Sequence, residues 1–552
     1  MVIRKKLTQS IAKKLNVESS EIVFHEVPLE DLGDIALPCF FLAKKYKQAP
    51  ALLAVQLASK IPPGGLIKKV HAVGPYINIF LDYKKVFALL LKEKPVRKNN
   101  KTIVLDYSSP NIAKPFGVGH LRSTFIGESL KRVYSALGYR TIAINHLGDW
   151  GTQFGKLIVA YKKWPRSLSR LPIRVLYNLY VKFHSESEKN PLLEDEARVW
   201  FKKLEDGDKE ATKLWRLFRS LSLKDFKQLY KRLGCSFQSY DGEAYFNDKL
   251  ASVVHTLTRK KLLQKSEGAD IVNLDAFQLP PGLIRKSDGA SLYLTRDIAA
   301  AQYRYATYRF SKMIYEVGQE QQLHFRQLFA ILELMGLAWT DRCMHVSHGH
   351  YHCEGKKMST RKGTIIFVED LIDEVKRAVI KIIKQKNPTL KRRDAVAEKI
   401  ALGAIIFHDL KTDRENAVEF NIAHMTDFQG ETGPYILYTY TRLQSILKKG
   451  KTRATRSNPT IIRTIGEEER GMIVMLALFQ ETLRDVIEHN KPDILAKYLI
   501  TLAKKTNSYY THNRVLQDNA DIQAMRLAVI QKVAATLKEG MYLLGMPIIE
   551  EM

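Results

Sequence analysis

Two stretches of this chain hold side chains that could act on a phosphate. The first, DYSSPNIAKPFGVGHLRST at 106–124, lies where a β-rich run gives way to a helical pattern. A helix start offers unpaired N–H groups and a partial positive charge, which suit a phosphoryl group. Gly117 and Gly119 let backbone approach a ligand with no Cβ in the way, and His120 can donate to a phosphoryl oxygen. The second stretch, GKKMSTRKG at 355–363, is a glycine-bounded loop with four cations, too polar for a core. Cations over a polyphosphate stabilise the charge that develops during nucleotidyl transfer. Taken singly, each stretch also fits a plainer reading: a turn capped by His120, and a solvated or RNA-contacting basic loop.

The surrounding periodicity says what must position them. TIVLDY reads as a strand, residues from about His120 to Leu137 as a helix, and RTIAIN as the next strand. SKMIYEV, RCMHVSH and TIIFV are further strand candidates with helices between them, so the pattern predicts a doubly wound parallel sheet with ligands at the carboxyl ends of its strands. A mainly helical, Trp-, Phe- and Lys-rich insertion runs from about 164 to 250. Residues 1–95 read as a small α/β unit that opens with an amphipathic helix carrying Ile3, Leu7, Ile11 and Leu15. The basic stretch 92–101 is a linker, 101–410 the Rossmann-type unit, and 411–552 an all-α unit interrupted by the basic loop KKGKTRATRSNPT.

In this order the two stretches resemble the HIGH and KMSKS signatures of class I aminoacyl-tRNA synthetases. The longer phrases are similar to those of arginyl-tRNA synthetases: SSPNIAKPFGVGHLRST, KKMSTRKG, NHLGDWGTQFG at 145–155, SDGASLYLTRDIAAA at 287–301, GETGPYILYTYTR at 430–442, and QAMRLAV at 523–529 in place of the DALR pattern. The resemblance covers almost the whole chain. It implies an arginine–tRNA ligase that forms arginyl-adenylate from L-arginine and ATP with magnesium, releases pyrophosphate, and passes arginine to the 3′ ribose of tRNA(Arg). It also implies that bound tRNA is needed before arginine is activated. The expected architecture is a tRNA-elbow domain at 1–95, a class I Rossmann domain and a helical anticodon-binding bundle, in a cytoplasmic monomer.

Residue by residue, the resemblance assigns arginine binding to Asp106, Asn111, Tyr293, Asp297 and Gln321. Such a slot has a chemical rationale, because a guanidinium is a planar five-donor fork that a carboxylate can grip, whereas a lysine lacks the fork. Asp297 also suits an N-cap of the helix IAAAQYRY. ATP falls to Pro110, Lys114, Gly117, Gly119, His120, Lys357 and Met358, and catalysis to His120, Lys357, Ser359, Arg361 and Lys362. The tRNA falls to Tyr76, Asn78, Arg442 and the terminal Met552. The sequence departs from the signatures at Gly117, where the first histidine of HIGH belongs, and at Thr360, where KMSKS has its second lysine. Arg361 or Lys362 supplies that cation.

Composition bounds the alternatives. The 552 residues carry 87 Lys+Arg against 58 Asp+Glu, a net +29 that favours a polyanionic partner. Residues 1–101 hold 18 bases against 8 acids, and seven bases with no acid lie between Arg442 and Arg463. No apolar run reaches membrane-spanning length. The N-terminus lacks the apolar core of a secretory signal. Four scattered cysteines fit a reducing compartment. CMHVSHGHYHC at 343–353 has zinc-type ligand identities, but its histidines alternate along an expected strand, so no metal is assigned there. Two rivals share the motifs: an RNA-binding paralogue without catalysis, and a HIGH-type nucleotidyltransferase that uses no tRNA.

Overall fold

A computed structural model describes residues 3–25, 27, 30–164, 173–287, 293–353, 356–357, 367–450 and 462–552. The N-terminal unit opens with α1 (Ile3–Leu15), whose Ile3, Leu7, Ile11 and Leu15 are all buried, as their four-residue spacing predicts. It continues through β1 (Ile35–Pro38), α2 (Phe40–Tyr46), α3 (Pro50–Ser59), β2 (Ile67–Val73), β3 (Tyr76–Leu81) and α4 (Tyr83–Leu91). The sheet is antiparallel in the order β1-β3-β2, with the tight turn at Gly74 (φ +55°).

The central sheet is built from β4 (Thr102–Asp106), β5 (Arg140–Ile144), β9 (Lys312–Gly318) and β10 (Cys343–His348), all parallel, in the order β10-β9-β4-β5. β4 is apolar from Ile103 to Leu105 and buried throughout, as a strand covered on both faces must be. From β4 the chain passes through α5 (Leu121–Ala136) to β5 on one side, and β9 then pairs on the other. The direction of winding therefore reverses between β4 and β9, and a crevice forms there at the carboxyl ends.

Between β5 and β9 come α6 (Thr152–Lys163), α7 (Ile173–Lys189), α8 (Leu192–Glu205), α9 (Lys209–Leu233) and α10 (Leu250–Arg259). A small antiparallel sheet of β6 (Leu263–Ser266), β7 (Ala269–Val272) and β8 (Gly282–Arg285) follows, then α11 (Tyr293–Tyr308). Capping fixes α9: Asp208 accepts from the Ala211 N–H at its start, and Gly234 closes it at φ +73°.

α12 (Gln322–Leu334) links β9 to β10. The short strands β11 (Tyr351–Cys353) and β12 (Lys356–Lys357) pair antiparallel, and β11 also pairs with β13 (Val418–Glu419). The remainder is helical: α13 (Val368–Lys386), α14 (Arg393–Leu410), α15 (Ile422–Met425), α16 (Gly433–Gly450), α17 (Arg470–His489), α18 (Asp493–His512) and α19 (Ala520–Leu544). Ion pairs clip the N-terminal unit to this bundle, Asp34 with Arg470 at 2.8 Å and Lys68 with Glu467 at 2.6 Å.

Three expectations are corrected. Of TIIFV, residues 364–366 lie outside the described residues. Phe367 forms only an isolated bridge to Gly117, and Val368 already starts α13. The strand expected to carry His348, His350 and His352 breaks at Gly349, whose N–H turns to the Arg414 carbonyl. α11 begins at Tyr293, so Asp297 sits inside the helix and is no N-cap.

Candidate active site

The crevice between β4 and β9 opens into two adjoining cavities, of about 410 Å³ and about 880 Å³. Both are lined by Ser109, Asn111, Lys114, Val317 and Gln321, so they form one continuous cleft. Its floor is a strained loop in which Ser108 (φ +75°), Ser109 (+43°) and Ala113 (+64°) are all left-handed without being glycine. Such backbone persists only where its surroundings over-determine it. Here the Ser108 N–H donates to Ser123 Oγ, Ser108 Oγ is 2.6 Å from the Tyr230 hydroxyl, and the Ala113 N–H donates to Ser222 Oγ. α9, reading from sequence as insertion, thus braces the loop from behind.

The smaller cavity takes Gly117, Gly119 and His120 from the helix start, with Glu316, Gly318, His348 and His350 opposite. A Cβ built on Gly119 would meet nothing within 4 Å among the described residues, so ligand atoms can approach the backbone there. Burial, with Lys114 and His348 nearby, pushes the His120 imidazole down to about 4. At neutral pH it is an uncharged hydrogen-bonding group. Lys114 lies over the Tyr180 ring of α7, 5.0 Å from its centre. Pro110 does not line the cleft. It is buried, and its carbonyl accepts from the Gly148 N–H. Of the second signature, Lys357 ends β12 with its backbone paired to His352, while Met358, Ser359, Arg361 and Lys362 lie outside the described residues.

The larger cavity gathers Asp106, Asn111, Tyr293, Asp297 and Gln321, the five side chains assigned to arginine. They come from β4, the loop after it, one face of α11 and the turn before α12. They are not equivalent. Asp106 is buried and bound to Arg304, 2.8 Å away, so its charge is already paired inside the protein. Tyr293 is more than half exposed at the rim. Asp297 Oδ2 accepts from His324 Nε2 at 2.6 Å, and its Oδ1 is 3.9 Å from His146 Nε2. Burial opposes the charge on Asp297, but His324, His146 and Arg304 hold its carboxyl below the usual range.

Among the cavity residues not assigned from sequence, Glu243, His146 and His324 stand around Asp297. Glu243 Oε2 is buried with no hydrogen-bond partner among the described residues, and burial, with Asp297 and Asp149 adding to it, pushes the carboxyl up to about 8 against the pull of Arg296. Gly242 makes this placement possible, since a Cβ there would come within 2.4 Å of the Leu147 carbonyl. No local spacing marks Glu243, because it reaches the slot only through packing of 242–244 on 147–149. His146 stands in the matched phrase NHLGDWGTQFG, none of whose residues was given a role, and His324 follows the assigned Gln321 by three residues.

Away from the cleft, Tyr76 is half-buried and makes an edge contact with Phe40 at 5.7 Å, while Asn78, expected beside it as an RNA contact, is 4% exposed. Arg442 is exposed and lies 4.4 Å from the Tyr510 ring centre. Met552 packs partly against the core, and its carbonyl accepts from Asn387 Nδ2, so the terminus is held by the protein itself. Among the described residues no group of three or more metal-ligating side chains converges, and no helix is long and apolar enough to cross a membrane.

Comparison with known proteins agrees with this arrangement. Residues 85–422 match the family described as tRNA synthetases class I (R), catalytic domain, residues 1–81 match the arginyl tRNA synthetase N terminal domain, and residues 436–552 match the DALR anticodon binding domain. An arginine–tRNA ligase of Exiguobacterium sp. is 46% identical over 99% of this chain and 98% of its own length. That of Enterococcus faecalis is 45% identical over 100% and 99%. The arginyl-tRNA synthetase of Thermus thermophilus shares the fold over the full length of both chains, with a TM-score of 0.88 at 23% identity.

Proposed function

Because the chain belongs to the arginyl-tRNA synthetases, class I ligases that activate L-arginine with ATP and transfer it to the 3′ ribose of tRNA(Arg), we propose how its own residues divide that work. The observation that carries the assignment is the pair of adjoining cavities, one glycine-lined at a helix start and one acidic. ATP lies with its triphosphate across the first, bringing magnesium as part of the substrate. Gly119 lets phosphoryl oxygens approach the backbone at the helix start, and neutral His120 donates to them. Lys114 and Lys357 add positive charge, and Ser359 with Arg361 or Lys362 acts from the second signature.

Arginine extends into the second cavity. Its guanidinium meets Asp297 and Glu243, Tyr293 closes the rim, and Asn111 with Gln321 orients the amino-acid end. Asp106, neutralised by Arg304, holds the wall. The substrate carboxylate then attacks the α-phosphorus, pyrophosphate departs, and the adenylate's acyl group passes to the tRNA ribose. No protein nucleophile takes part, and positioning with charge stabilisation suffices. A lysine would leave acceptors of the slot unpaired, which penalises it strongly.

Tyr76 and Arg442 are the proposed RNA contacts, since an aromatic face and an exposed guanidinium suit bases and phosphates. Action as a monomer in the cytoplasm completes the reading, and it accords with free, buried Cys39, Cys235 and Cys343. The test is to charge a tRNA pool with each of the twenty amino acids and to measure arginine-dependent pyrophosphate exchange with and without tRNA. Charging with arginine alone supports the reading. Exchange without any acceptance by tRNA would point to a nucleotidyltransferase of another kind.

A further inference from the structure

A single carboxylate can grip a guanidinium through both oxygens only if both are open. In this slot they are not equally so. Asp297 projects from the first turns of α11, and the imidazole of His324, from the opening turn of α12, sets its Nε2 2.6 Å from Oδ2. Oδ1 is the freer edge, its nearest ionic neighbour being His146 Nε2 at 3.9 Å. Among the described residues, Glu243 Oε2 is a second carboxylate oxygen at the cavity that is buried without a hydrogen-bond partner.

Resting on the assignment of Asp297 to the guanidinium, we infer that His324 is a specificity-determining positioning residue: by holding Oδ2 it fixes the carboxylate's rotation and turns Oδ1 alone toward the ligand. The guanidinium is then shared between Asp297 and Glu243, one oxygen each. A planar fork can bridge two separated acceptors, whereas one ammonium is a compact point charge. His324 itself is set by its packing, with Phe325 next to it in chain and Phe325 in turn stacked on His345 at 4.6 Å.

The pair also has a charge state. When His324 is protonated, Asp297 already faces an internal cation, and an incoming guanidinium gains less. A neutral His324 still donates through Nε2 but leaves the acid's charge uncompensated. Its bond to Asp297 raises the proton affinity of His324 against the effect of burial, so this change falls above the ordinary histidine value. Other ionisable groups facing the acid are His146 after β5, Arg304 and Arg296 on α11, Glu243, Asp106 on β4 and Tyr315 on β9. Arginine should therefore bind better as pH rises through this range.

The test uses the full-length enzyme with saturating ATP and tRNA. His324→Ala is expected to raise KM for arginine by about tenfold, with kcat and KM for ATP little changed. His324→Gln, which keeps a neutral donor at similar reach, should restore KM to within about threefold of wild type. KM for arginine is also followed from pH 6 to 9 in wild type, His324→Gln and Glu243→Gln. The limb that survives Glu243→Gln and vanishes in His324→Gln is the one expected of His324. Equal KM values in wild type and His324→Ala, or a parallel loss in kcat and KM for ATP, would overturn the inference. Asp297→Asn separates the two layers. If it leaves KM for arginine unchanged, the slot assignment fails and takes this inference with it, whereas a raised KM there with an intact His324→Ala sinks the inference alone.

Discussion

The guanidinium of Arg122 lies 3.3 Å from Asp409 Oδ1, both side chains 1% exposed, and so ties the helix that starts at the phosphate cavity to the end of α14. Its Nη2 donates to the carbonyls of Asp413 and Asn416, and the Tyr351 hydroxyl donates to Asp409. Tyr351 stands on β11, whose hairpin partner carries Lys356 and Lys357.

A buried ion pair that loses one partner leaves a charge with nothing to compensate it. Arg122→Met should therefore destabilise the protein by about 3–5 kcal/mol, seen as a lower urea midpoint. Replacing both partners, Arg122→Met with Asp409→Leu, should recover part of that loss. Equal midpoints for the single variant and wild type would mean the pair contributes nothing.

Glu243 should make arginine binding proton-linked. Its carboxyl, pushed up to about 8 by burial, is protonated in the free enzyme at pH 7, and a guanidinium favours the ionised form. Binding then releases a proton, and KM for arginine falls as pH rises toward 8. Calorimetry in two buffers of different ionisation enthalpy measures the release. Glu243→Gln should diminish it and raise KM by about 10–100-fold. Because the folded value is raised above the unfolded one, Glu243 costs stability increasingly between the ordinary glutamate value and about 8.

His120 is held neutral, its imidazole pushed down to about 4. Activation should accordingly show no titration from His120 between pH 6 and 9. His120→Ala should slow adenylate formation by a factor on the order of 10², and His120→Asn, which keeps a neutral donor, by distinctly less. Pyrophosphate exchange against pH in the three proteins checks this, and equal rates for the two variants would remove the hydrogen-bonding role.

Gly148 carries a steric test of the arginine site. A Cβ there would meet Asn111 Oδ1 at 2.1 Å and Asn111 Cα at 3.4 Å. The amide can swing away, so Gly148→Ala should melt within a few degrees of wild type, yet raise KM for arginine through displaced Asn111. A variant with wild-type KM would show that Asn111 does not orient the substrate.

Much of this protein is legible in its sequence. Four-residue apolar spacing marked α1, strand composition marked β4, β5, β9 and β10, and the run from Asp106 to Thr124 marked the phosphate-facing helix start. Each is a local signal, because side-chain period and backbone preference are set within a few residues. The described end of TIIFV departs for the same reason: a β-rich composition cannot register that Phe367 bridges Gly117 and that Val368 already opens a helix. The acidic slot depended on distance. Glu243, His146, Asp297 and His324 are up to 178 residues apart, and only the crossing of β4, β9 and α11 decides which carboxylate is already paired, as Asp106 is to Arg304, and which stays open. Charge in a buried place depends on neighbours brought from elsewhere in the chain, and no local pattern encodes them.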